Sequence, residues 1–153
     1  MREFQGGNFR FALLAGLFVA AFGTPAAAQS LSVSGNPASM NISSATAGSE
    51  PVGDGNSATT YSVTTLIIQK KKVTARLSSN MPAGMTLSVS LVAPSGATSM
   101  GAVTLDNTDR DLVVNIGNLL AETKSITYQF TGTAAAGALT SSRTVTFSLV
   151  NYP

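Results

Sequence analysis

Residues 85–93, Met-Thr-Leu-Ser-Val-Ser-Leu-Val-Ala, put apolar side chains at Met85, Leu87, Val89, Leu91 and Ala93, and hydroxyls at Thr86, Ser88 and Ser90. In an extended chain successive side chains point to opposite faces, so this period of two makes one apolar face and one wettable face. A helix would scatter the same apolar residues around its circumference. Turn chemistry closes the segment at both ends. Met81-Pro82-Ala83-Gly84 precedes it and Pro94-Ser95-Gly96 follows; proline presets φ, and glycine accepts positive φ.

The same alternation recurs in both directions along the chain. Upstream, Val73, Ala75 and Leu77 alternate with Lys72, Thr74 and Arg76, and Tyr61, Val63 and Thr65 alternate before a continuous Leu66-Ile67-Ile68. Leu31 and Val33 alternate with serines, Met40 and Ile42 follow the break at Gly35-Asn36-Pro37, and the aperiodic residues 45–57 read as a loop. Downstream, Val103 and Leu105 form a short strand and residues 106–111 a polar loop. Residues 112–116 are apolar, and Gly117-Asn118-Leu119-Leu120 is the one place where a helical turn is expected. Ile126, Tyr128 and Phe130, then Val145, Phe147 and Leu149, alternate with polar residues and suggest a final hairpin. Seven to nine short strands separated by turns indicate an all-β fold, a single immunoglobulin-like antiparallel β-sandwich. The pleat places Val63, Val73, Leu77, Leu87, Val89, Leu91, Val103, Ile126, Tyr128, Phe130, Val145, Phe147 and Leu149 inside.

Residues 1–28 read differently. Arg2 and Arg10 flank a basic opening, residues 11–22 are an unbroken apolar run, and Ala26-Ala27-Ala28 follows a break at Gly23-Thr24-Pro25. Charged start, short apolar stretch and small-residue site are the pattern of a cleaved secretory signal peptide. A membrane anchor is the alternative, but a spanning helix needs about 20 apolar residues. The sandwich domain is therefore expected over residues 29–153, exported to the periplasm, the cell surface or the medium, and not spanning a membrane.

From Gln29 onward, serine and threonine supply 36 of 125 residues against 13 charged ones, so the solvent face is built mainly from hydroxyls. Seven of those charges are cationic and six anionic, too even a balance for nucleic-acid binding. The chain has neither cysteine nor histidine. Disulfides, thiolate metal sites and the usual neutral-pH general base are absent with them. No G-x-S-x-G or S-x-x-K motif is present either. No catalytic residue and no cofactor is expected.

Asp106, Asp109 and Asp111 put three carboxylates within six residues, the oxygen chemistry a hard cation wants. However, Arg110 lies among them and the calcium-loop spacing is not met, so a turn satisfying its own backbone is the expectation. Lys70-Lys71-Lys72 offers a patch for an anionic polysaccharide or lipid surface, or a charged strand end that discourages edge pairing. Tyr128 sits where a tyrosine corner could form, or is an ordinary core aromatic.

A leader, a mature domain of this size, hydroxyl-rich alternating strands, a final alternating run over residues 144–151 and a penultimate Tyr152 resemble bacterial surface-fibre subunits, the chaperone–usher pilins and the spore coat protein U group. Leu31 and Val33 match that family's donor-type alternation. The family's disulfide has no counterpart here, and Val145, Phe147 and Leu149 are out of step with Tyr152. The resemblance implies an immunoglobulin-like fold lacking one strand, supplied by a chaperone or a neighbouring subunit. The expected function is a non-catalytic structural or interaction protein of the cell envelope, a fibre-type or self-associating subunit joined through a sheet edge. The alternative is a secreted module that binds a polysaccharide or a protein partner.

Overall fold

The computed structural model describes residues 29–42, 49–66, 68–136 and 141–153; the signal-peptide reading of residues 1–28 lies outside them. The described chain is all-β. Nine strands run in order: β1 (Gln29–Val33), β2 (Asp54–Thr65), β3 (Lys71–Leu77), β4 (Met85–Leu91), β5 (Thr98–Ser99), β6 (Val103–Thr104), β7 (Arg110–Ile116), β8 (Leu119–Gly132) and β9 (Val145–Asn151). They form two antiparallel sheets, one of five strands ordered β1-β2-β8-β4-β6 and one of four ordered β5-β7-β3-β9. Among the described residues no helix is long and apolar enough to cross a membrane.

The sheets close on one core. Val63, Val73, Leu77, Leu87, Val89, Leu91, Ile126 and Tyr128 are buried in it, with Val103, Phe130, Val145, Phe147 and Leu149 half-buried against it. Tyr61, Ala75, Leu105, Leu112, Val113, Ile116 and Leu119 are buried as well, beyond the set that alternation had marked. Leu112 and Val113 are neighbours in sequence, yet both are buried. The pairing of β3 with β7 shifts register between Lys71 and Val73 and again between Val73 and Thr74, and Asn115 takes φ 62°. Such irregularities re-aim side chains, and asparagine is among the few residues that tolerate the left-handed conformation.

Three local expectations need correction. Residues 126–130 and 145–149 are not a hairpin: β8 pairs with β2 and β4 in the larger sheet, and β9 pairs with β3 in the smaller one. Residues 54–57, expected in a loop, open β2, where Asp54, Gly55 and Asn56 pair with Phe130, Gln129 and Tyr128. Gly117-Asn118 is a tight connection, and Leu119 and Leu120 already belong to β8. The one 3₁₀ turn among the described residues lies at Ala134–Ala136.

Lys71 and Lys72 lie in β3, which is flanked by β7 and β9, so they do not guard a sheet edge. The Lys71 stem is buried and its Nζ donates to Asn151 Oδ1. Lys72 Nζ lies 2.9 Å from Asp111 Oδ1.

Charge is segregated between the two outer surfaces. Paired residues in an antiparallel sheet share a face. The register therefore gathers Ser30 and Ser32 of β1, Thr60, Ser62 and Thr64 of β2, Thr123, Ser125, Thr127, Gln129 and Thr131 of β8, Thr86, Ser88 and Ser90 of β4, and Thr104 of β6 on the outside of the five-stranded sheet. None of these carries a charge. The outer face of the smaller sheet bears Lys72, Arg76 and Asp111.

Candidate interaction groove

The two lateral sides of the sandwich are finished differently. On one side the edge strands β5 and β6 are two residues each, too short to template another chain. On the other, β1 ends the larger sheet and β9 ends the smaller, and β9 is seven residues long. Among the described residues β9 pairs with β3 alone, which leaves a seven-residue row of backbone groups, about 24 Å of strand, facing outward.

Between β1 and β9 lies a groove of about 790 Å³. Leu31, Val33 and Pro37 form one wall, Val145, Phe147 and Leu149 the other, and Tyr128 contributes from within. The sequence dictates both walls. In β9 the period of two turns Val145, Phe147 and Leu149 to the inner side, but among the described residues no strand continues the sheet beyond them, and they are only half-buried. In β1 the pairing Leu31↔Val63 aims Leu31 inward, and Val33 remains 37% exposed. Arg143 stands at the mouth, where it donates from Nε to the Asn80 carbonyl at 3.0 Å and from its guanidinium to Ser141 Oγ at 2.7 Å and the Ser142 carbonyl at 2.8 Å. The groove is thus a slot of mixed polarity between two strand edges, in which apolar side chains are interspersed with Asn36, Arg143, Thr144 and Thr146, and among the described residues the β9 edge offers unpaired backbone. Such a slot can accept an extended chain that adds a strand and fills pockets with alternate side chains.

The acidic segment is organised otherwise. Asp106 accepts from the Thr108 amide at 2.9 Å, from Thr108 Oγ1 at 2.6 Å and from the Arg110 guanidinium. The hydrogen bond from Arg110, followed by those from Thr108, holds its carboxyl well below the usual carboxylate range. Asp109 lies 3.9 Å from Arg76, and Asp111 pairs with Lys72. Each of the three carboxylates therefore faces its own cation, and the structure does not bring them together. Among the described residues no group of three metal-ligating side chains occurs.

The tyrosines divide into structural and peripheral. Tyr61 donates its hydroxyl to the Val92 carbonyl at 2.6 Å, tying β2 to the end of β4 across β8. Burial, and behind it the Glu122 carboxylate, pushes the Tyr61 phenol up to about 12. Burial also raises the Tyr128 phenol. Of the two readings open at Tyr128, a backbone tie or an ordinary core aromatic, its burial in the core fits the second, and a backbone tie is made by Tyr61.

The sequence had marked both walls of the groove, Leu31 and Val33 as donor-type alternation and Val145, Phe147 and Leu149 as core. Their juxtaposition across an open side had no local signal, because an alternating strand reads the same whether its sheet continues or stops. The chain matches no protein-family model, no curated protein and no solved structure.

Proposed function

We propose that this protein is an exported, non-catalytic structural or interaction subunit of the bacterial cell envelope, and that it assembles by receiving an extended strand along β9. The observation that carries the reading is the open side of the sandwich: a seven-residue edge that among the described residues pairs with β3 alone, beside half-buried Val145, Phe147 and Leu149. A solitary domain normally blunts such an edge, as β5 and β6 do on the opposite side. Hydroxyl-rich surfaces and the export-type leader support an extracytoplasmic setting. A polysaccharide module draws less support, since the chain has no tryptophan and two of its three tyrosines are buried.

The test is the mass of the exported protein in solution across concentration, together with electrophoresis in detergent without heating. Oligomers that survive the detergent, and that disappear when Leu149→Asp places a carboxylate in the groove, are expected. A cooperative monomer at every concentration that binds no extended peptide overturns the reading.

A further inference from the structure

The groove beside β9 carries a cation with no counter-charge among the described residues. Val145, Phe147 and Leu149 pair with the buried Leu77, Ala75 and Val73, so all three turn to the inner side of β9. The tie to β3 runs on past the start of the strand. Ser78 donates its amide to the Thr144 carbonyl at 2.9 Å, and the Thr144 amide donates to Ser78 Oγ at 3.2 Å. Arg143 is therefore the next residue in the inward row, and it lines the groove with the other three. The row reads one cation and then three apolar side chains, at intervals of about 6.6–6.8 Å.

Arg143 is half-buried, and its bonds all go to uncharged oxygens, on Asn80, Ser141 and Ser142. They use Nε and one terminal nitrogen; among the described residues the second terminal nitrogen has no partner. Lys72, Arg76, Arg110 and Lys124, by contrast, each face a carboxylate of this chain. The described walls of the groove contain no aspartate or glutamate.

We infer that the strand received along β9 carries a carboxylate beside Arg143, in line with three alternate apolar residues that meet Val145, Phe147 and Leu149. The strand-receiving reading of β9 underlies this, and the carboxylate adds the chemistry of the partner. Paired strands share the period of two, so alternate side chains of the incoming segment fall opposite each member of the row in turn. A guanidinium offers a carboxylate two parallel donors, and a half-buried pair is screened by salt less than one in open water. A neutral or cationic residue at that place leaves Arg143 without a counter-charge, which selects against such strands. No stretch of this chain has three alternate apolar residues with an acid at the next alternate place, before or after them. The occupant that fits is thus a segment of another protein. Copies of this chain that join along β9 do so without the ion pair.

The test uses the protein as exported and two amidated peptides labelled with fluorescein at the amino terminus. One is Glu-Thr-Val-Thr-Val-Thr-Val-Thr-Glu, in which either strand direction sets a carboxylate beside Arg143; the other has glutamine at both ends. Fluorescence anisotropy should show the glutamate peptide binding about tenfold more tightly, the worth of a charge-assisted hydrogen bond. Arg143→Gln should bind both peptides alike, and Arg143→Lys should keep part of the preference. A purely structural Arg143 does not distinguish the peptides, and comparing them on the wild type requires no variant to fold. Equal binding of the two by the wild type overturns the carboxylate inference and leaves strand reception standing. A preference that persists in Arg143→Gln overturns it as well, because the carboxylate then sits elsewhere. Binding of neither peptide overturns strand reception itself, and the carboxylate inference with it.

Discussion

Tyr61→Phe removes one oxygen and leaves the ring in place, so it weighs a single buried contact. The hydroxyl donates to the Val92 carbonyl at 2.6 Å, and Tyr61 is 1% exposed. Loss of the bond strands a partly buried carbonyl, which should cost about 1–2 kcal/mol and lower Tm by roughly 3–10 °C for a domain of this size. Alkali supplies a second, independent readout. The phenol titrates at about 12 in the folded protein against 10.0 when exposed. The folded state thus holds the proton more tightly than the unfolded one. That contribution is complete below about pH 10, is lost as the pH rises toward about 12, and amounts to roughly 2–3 kcal/mol. Urea unfolding from about pH 8 to about pH 12 should show parallel curves up to about pH 10 and, above it, wild-type stability falling more steeply than that of Tyr61→Phe by about 1 kcal/mol per pH unit. Every other ionisable group is common to both proteins and cancels in the comparison. Equal stability at neutral pH and parallel alkaline slopes would falsify the assignment of Tyr61 as a buried donor.

Gly84 has φ +79°, and a Cβ there would meet Thr133 Oγ1 at 2.6 Å and Ala136 Cβ at 3.0 Å, whereas Gly96 at φ +75° has open space around it. Gly96→Ala should therefore cost about 1 kcal/mol of backbone strain, and Gly84→Ala clearly more; equal losses in urea unfolding would mean the Gly84 turn has room to relax. Val89 is 0% exposed, so Val89→Asp should abolish cooperative unfolding by circular dichroism, because it buries an unpaired charge. Phe147→Asp places the same charge at the half-buried wall of the groove, so a folded chain that no longer assembles is expected. An unfolded Phe147→Asp chain would show that the groove is more tightly closed than its walls indicate.

Where strands are regular, the amino-acid pattern specifies them well. β4 and residues 122–132 of β8 alternate without interruption, and their inward residues follow from the period alone. The pattern weakens wherever register shifts. Leu112 and Val113 are buried in succession beside the irregular β3–β7 pairing, and β2 begins before the shift between Asn56 and Thr59, within residues rich in glycine and asparagine. Period also says which face a residue occupies but not which strand lies beside it. Hence β8 and β9, consecutive and alike, could not be assigned to different sheets. For the same reason Lys71 and Lys72 could not be placed in a strand flanked on both sides. The groove is invisible for a related reason: it depends on where pairing stops, and that is settled by distant segments. Asp106, Asp109 and Asp111 were legible as a cluster in sequence, and so was Arg110 beside Asp106, but the cations of Asp109 and Asp111, Arg76 and Lys72, come from β3.

The uncharged covering of the larger sheet has a consequence for how this molecule meets its surroundings. Screening by salt acts on charges and extends about 8–10 Å at ordinary ionic strength. An approach to the face made of Ser32, Ser62, Thr123, Ser125 and Ser88 should therefore proceed alike in dilute and concentrated salt, its strength set by displaced water and hydroxyl contacts. The opposite face, with Lys72, Arg76 and Asp111, responds to every change in ionic strength. Brine dims one side of the molecule and leaves the other as it was, so neighbours can be sorted by salinity alone.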